Sequence, residues 1–102
     1  MVRHSWSRLT QHSYRRCTGV ASAYEADRLV LMDAAGKRFY STNAVGAVIW
    51  GLLGTPRSME SLCTELASRW ESSKDSISQD VSAFLSAMIE ARLIEMVATD
   101  VA

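Results

Sequence analysis

Residues 28–41 decide how this chain folds: Arg28-Leu29-Val30-Leu31-Met32-Asp33-Ala34-Ala35-Gly36-Lys37-Arg38-Phe39-Tyr40-Ser41. Residues 28–33 carry apolar side chains on both faces, as a central strand does. Asp33-Ala34-Ala35-Gly36 ends in the glycine that a three- to five-residue hairpin needs where the backbone takes positive φ. Residues 37–41 read as the returning strand. Upstream, residues 20–24 read as a weaker strand, joined to the first by the short polar link Glu25-Ala26-Asp27. The result is a three-stranded antiparallel meander.

Working outward toward the C-terminus, the period changes from strand to helix. Thr42 or Asn43 can cap a helix running to about Leu53, with Val45, Val48, Ile49, Leu52 and Leu53 at i, i+3, i+4, i+7 and i+8. No face of it is charged, so it belongs at the centre of the fold. Gly54 is placed to end it and Pro56 stops it continuing. Ser58 caps a second helix reaching Trp70, with Met59, Leu62, Cys63, Leu66 and Trp70 on one stripe. Ser76 with Gln79 fits a capping box for a third. That helix carries Ile77, Val81, Phe84, Leu85, Met88 and Ile89. Residues 93–97 read as a short extended tail. The fold class is therefore α+β: a winged-helix-like domain in which a three-stranded antiparallel β-meander is followed by three α-helices.

Toward the N-terminus the signal fades. Residues 1–18 are rich in Ser, Thr, Arg and His and read as a flexible basic arm, pinned at most by Trp6 and Leu9. The domain then spans residues 19–97, with a tail at 98–102. The formal charge of zero conceals a gradient: +4 over residues 1–24 and −5 over residues 58–102. An acidic second half is a poor match for phosphate backbones, which bind clustered Lys and Arg, so no nucleic-acid partner is expected. No stretch approaches the 18 or more apolar residues of a membrane span, and residues 1–8 lack the apolar core of a secretory signal. A cytoplasmic location without membrane partners is the expectation.

Catalysis needs a nucleophile, a base or a metal cluster held within mutual reach. His4 and His12, the two histidines, lie in the basic segment eight residues apart. Metalloprotease, zinc-finger, nucleophile-elbow and phosphate-loop signatures are absent from the sequence. Cys63 falls on an apolar helical stripe, where a thiol fills space; Cys17 has no base placed near it by spacing. These observations predict a binding module rather than an enzyme, with no metal, no cofactor and no catalytic residue.

From Leu29 onward the chain resembles the PqqD-like family, the recognition elements for ribosomally made precursor peptides. The resemblance rests on Leu29-Val30-Leu31-Met32-Asp33, Gly36, Phe39-Tyr40, Asn43, Ile49-Trp50, Leu53, Gly54, Glu60 with Leu62, Leu66-Ala67, Asp80-Val81 and Phe84-Leu85. It covers about residues 20–97, and it is similar above all to the stand-alone domains of lasso-peptide pathways. Two positions depart from the pattern: Arg92 stands where relatives commonly have glycine, and Thr42 where leucine precedes the Asn.

The resemblance implies that the domain binds the leader of a precursor peptide by strand addition and hands it to a leader peptidase or another modifying enzyme. The third strand of the meander would be a free edge able to accept an extended peptide. The implied peptide-binding residues are Lys37, Arg38, Phe39, Tyr40 and Ser41 on the strand, with Asp80, Val81, Phe84, Leu85 and Met88 on the third helix. Without the resemblance, that helical stripe reads as core, and Lys37 and Arg38 as guards of a sheet edge. Alternative readings are a winged-helix DNA-binding regulator, a peptide chaperone in a cofactor pathway or another peptide pathway, and a dimerisation module using the same edge. A monomer or weak dimer is expected.

Overall fold

Leu29 and Leu31, at alternate positions of one strand, are fully buried, and the domain is assembled over them. The computed structural model describes residues 12–26, 28–70 and 73–98. In chain order the elements are β1 (His12–Arg16), β2 (Ala21–Glu25), β3 (Arg28–Met32), β4 (Phe39–Thr42), α1 (Ala44–Leu52), β5 (Arg57–Ser58), α2 (Met59–Trp70), α3 (Lys74–Glu90) and β6 (Ile94–Ala98).

The expected meander is present. β3 lies between β2 and β4, antiparallel to both, with Tyr24 opposite Leu29 and Tyr40 opposite Leu31. Gly36 takes the positive φ that the turn requires, at 71°. β4 starts two residues later than expected, so Lys37 and Arg38 belong to the turn. There the Lys37 N–H donates to the Asp33 carboxylate at 3.0 Å.

A second sheet, in the order β5-β1-β6, corrects the reading of both ends. Residues 12–16 are a strand rather than part of an arm; Trp6 and Leu9 lie outside the described residues. The residues read as an extended tail form β6, paired along β1 from Arg16–Ile94 to His12–Ala98. Ile94 and Leu93 anchor that strand in the core, at 1% and 0% exposure.

α1 is the central helix, as its uncharged faces require. Gly46, Ala47, Ile49 and Trp50 are buried on it, and Asn43 caps it by accepting from the Gly46 N–H at 2.9 Å. Its C-terminus is closed differently from expectation. Gly54 takes no left-handed cap; instead Arg16, reaching from β1, donates from Nε and Nη2 to the Trp50 carbonyl at 3.0 and 2.6 Å. The same guanidinium lies over the Trp50 ring, 4.8 Å from its centroid. Trp50 is thus a core residue, with its indole N–H buried and unpaired.

Ser58 caps α2 as expected, accepting from the Ser61 N–H at 3.1 Å. α3 starts earlier than the sequence suggests: its cap is Ser73, which accepts from the Ser76 N–H at 3.2 Å. The α3 C-terminus closes with Arg92 N–H to the Ile89 carbonyl and Leu93 N–H to the Met88 carbonyl, at 3.0 and 2.9 Å. This pair of bonds is the Schellman pattern, and it places Arg92 at φ 65°, where glycine is usual. Leu62, Cys63 and Leu66 of α2 and Ile77, Val81, Leu85 and Met88 of α3 complete the core with Leu29, Leu31, Ile49, Trp50 and Leu53. Each large aliphatic side chain buried there contributes about 1.5–3 kcal/mol.

Candidate functional site

Among the described residues, β4 is hydrogen-bonded on one side only, to β3. The direction of its free groups follows from one bond, Asp33 N–H to the Arg38 carbonyl at 3.1 Å. Antiparallel bonding alternates residue by residue. With Asp33 bonding across the hairpin, Leu31 and Leu29 also face β4 and engage Tyr40 and Thr42. Phe39 and Ser41 are left with their N–H and C=O groups directed outward, available to another strand.

Two clefts border this edge, one at each end. At the start of β4, Asp33, Arg38 and Tyr40 face Glu90, Ala91 and Arg92 across a cleft of about 310 Å³. Beyond its end, Asn43, Val45 and Gly46 face Asp80, Ala83 and Phe84 across one of about 390 Å³. α3 therefore runs antiparallel to β4 along the free edge. The eleven helical steps from residue 80 to residue 91 rise about 16 Å. The five extended steps from residue 38 to residue 43 span about the same distance. The edge and the helix are matched in length for a short extended segment between them.

The helix stripe along this edge is built from Asp80, Ala83, Phe84 and Ala91, which line the two clefts, and Ala87, which falls between them at helical spacing. Three of the five are alanines, which leave room beside the strand. Phe84 is half-buried and leans on α1: a Cβ built on Gly46 would stand 2.8 Å from its ring. Glycine at 46 lets the Phe84 ring pack closely against the first turn of α1.

The residues expected to form the site divide accordingly. Tyr40, Asp80 and Phe84 line the clefts, with Arg38 at one end. Lys37 lies exposed in the turn. Phe39 and Ser41 supply outward main-chain groups. Their side chains sit on the sheet face opposite Tyr40, where Phe39 is 68% exposed. Val81, Leu85 and Met88 are not on the cleft: they are buried in the core at 0%, 3% and 8% exposure. Asn43, Gly46, Ala83, Ala87, Ala91 and Arg92 were missing from the expected set. The Ala83-Ala87-Ala91 repeat, four residues apart, was the available signal.

A larger concavity than either cleft lies elsewhere, about 750 Å³ between β1, β5 and the start of α2. Arg57, which lines it together with Glu60, is engaged with the Leu52 carbonyl and the Ser61 hydroxyl at 3.1 Å each. No group of three potential metal ligands occurs among the described residues. Burial, assisted by Glu95 and opposed by Arg15, raises the Cys17 thiol above its ordinary pKa, which disfavours the reactive thiolate.

A sequence profile of the PqqD family, described as coenzyme PQQ synthesis protein D, matches residues 28–94. The chain belongs to the PqqD family. The match begins at β3 and ends in β6, so it contains β4, all three helices and both clefts. This PqqD-family chain is also similar to a solved structure, TbiB1 in complex with the TbiA(beta) leader peptide. The two superpose with a TM-score of 0.71 at 25% identity, over 79% of this chain and 94% of that one. No curated protein sequence matches it significantly. Among the described residues, no helix of this family member is long and apolar enough to cross a membrane.

Proposed function

We propose that this PqqD-family domain captures the leader segment of a ribosomally made precursor peptide as a strand added to β4, and presents it to a processing enzyme. The observation that carries this reading is the unpaired β4 edge, with outward main-chain groups at Phe39 and Ser41, facing the alanine-rich stripe of α3. Main-chain pairing supplies affinity with little sequence demand, and the flanking side chains supply selection. One set of leader side chains would turn toward Tyr40, Ala87 and Phe84, and the alternate set would lie beside Phe39 and Ser41. Lys37, Arg38 and Arg92 at one end suit leader carboxylates, and Asp80 at the other suits a polar or basic group.

The likeness to a structure holding a leader peptide supports the leader-binding part of this reading; the assignment to a lasso-peptide pathway with a separate leader peptidase rests on the sequence resemblance alone. The domain acts in the cytoplasm as a non-catalytic adaptor. The DNA-binding alternative finds little support, because the exposed charges of α3 include Asp75, Asp80 and Glu90. Fluorescence anisotropy of a labelled leader tests the reading. Saturable binding that a scrambled leader does not reproduce is expected, together with recruitment of the leader peptidase to the complex. A leader that binds no better than its scrambled form would contradict it.

A further inference from the structure

The same sheet has a second open edge. Among the described residues, β2 pairs only with β3, and all five of its residues are exposed. We propose that this edge pairs with the β2 strand of a second copy of the chain. The product is a weak two-fold dimer whose six-stranded sheet leaves both β4 edges free.

The geometry is self-complementary. Because Leu29 and Leu31 bond toward β4, Arg28, Val30 and Met32 bond toward β2 and engage Glu25, Ala23 and Ala21. Ser22 and Tyr24 therefore direct their N–H and C=O groups outward. A two-fold axis through Ala23 sets Ser22 of each copy opposite Tyr24 of the other, closing four main-chain bonds. The central pair is then Ala23 with its own symmetry mate, in the closer, non-bonded type of pairing where a methyl group fits. The same register sets Glu25 opposite Ala21, so no like charges are opposed. Tyr24, 60% exposed on one copy, comes within diagonal reach of its mate.

Natural sheet edges are commonly guarded by lysine, proline or a bulge. The β2 strand, Ala21-Ser22-Ala23-Tyr24-Glu25, contains no lysine or proline, whereas Lys37 and Arg38 lead into β4. A formal charge of zero leaves no net repulsion between copies. A five-residue edge buries far less than the roughly 1,200 Å² of a stable interface, so the association is weak and seen only at high protein concentration.

Sedimentation equilibrium together with concentration-dependent NMR shifts of the full chain tests this. The wild type is expected to self-associate reversibly as it approaches roughly millimolar concentration, with shifts centred on residues 21–25. Ser22→Pro removes an outward N–H while keeping the β3 ladder, and weakens association about tenfold or more. Ala23→Glu and Ala23→Lys should each be monomeric, and their mixture should restore a heterodimer through opposite charges at the axis. Leader binding is retained in all three, so failure here is separable from failure of the leader-binding reading. A wild type that stays monomeric at these concentrations would overturn the proposal. So would association unaffected by Ser22→Pro and by the charged pair, or a β2 edge perturbed only by the processing enzyme.

Discussion

Phe84 of α3 lies so close to Gly46 of α1 that a single methyl group on the glycine would stand 2.8 Å from the ring, and 2.8 Å from the Thr42 Cβ. That contact joins the cleft to the end of β4, because Thr42 is the last residue of the strand. Replacing glycine by alanine within a helix ordinarily gains up to about 1 kcal/mol. Here overpacking costs about 1–3 kcal/mol, since buried Thr42 has little room to move. Gly46→Ala is therefore expected to lower stability in urea unfolding and to weaken leader binding by tilting Phe84 into the cleft. Gly46→Ala with unchanged or improved stability would show that the ring is free to move.

Ser41 and Tyr40 are neighbours on β4 with opposite duties. The Ser41 N–H faces outward, whereas Tyr40 bonds to β3 opposite Leu31. Ser41→Pro should abolish leader binding while the circular dichroism spectrum and melting cooperativity stay near those of the wild type. Tyr40→Pro should damage the sheet itself. Calorimetric titration of the two variants separates the cases, and full leader affinity in Ser41→Pro would remove β4 from the binding account.

Arg15 and Arg16 are adjacent, yet their worth differs. Arg15 pairs with Glu95 at 2.6 Å, but both side chains are about half exposed, and such pairs contribute little. Arg16 closes α1 with two bonds to the Trp50 carbonyl and covers the ring. Arg16→Met is expected to cost about 2 kcal/mol, and Arg15→Met about 0.5 kcal/mol or less. Chemical denaturation of both variants under the same conditions checks the ranking.

Arg92 holds a left-handed backbone at φ 65°, which costs a non-glycine residue about 1–2 kcal/mol. Arg92→Gly should raise stability by about 1 kcal/mol, or roughly 4–8 °C in melting temperature for a domain of this size. Because Arg92 also borders the cleft, the same variant should bind leader somewhat less tightly where the leader carries a carboxylate at that end. Thermal melts with and without leader read both effects.

The meander and the helices were legible because their order rests on local periodicity. Leu29 and Leu31 alternate, and the apolar residues of α1, α2 and α3 recur every three or four positions. The second sheet was not legible for the opposite reason. β1 is His12-Ser13-Tyr14-Arg15-Arg16, a polar, half-exposed strand whose partner β6 lies some eighty residues away. Its pairing leaves no period in the sequence. The site shows the same contrast. Val81, Leu85 and Met88 produce the strong helical signal because they are core. The stripe beside them, Asp80, Ala83, Ala87 and Ala91, is small or polar and therefore quiet. Asn43 was readable as a cap, and Gly36 as a turn, because each answers a local backbone demand. Arg92 departs from the glycine such a turn favours, and the fold keeps the left-handed turn anyway.

The central claim is that a leader occupies the β4 edge against α3. It is tested most directly by titrating isotope-labelled protein with its own leader and following the backbone amide resonances. The account predicts shifts concentrated at residues 37–43 and on the stripe at 80, 83, 84, 87 and 91, with residues 12–16 and 21–25 left unmoved. Shifts centred on β2, or on the cleft between β1, β5 and α2, with β4 silent, would contradict it.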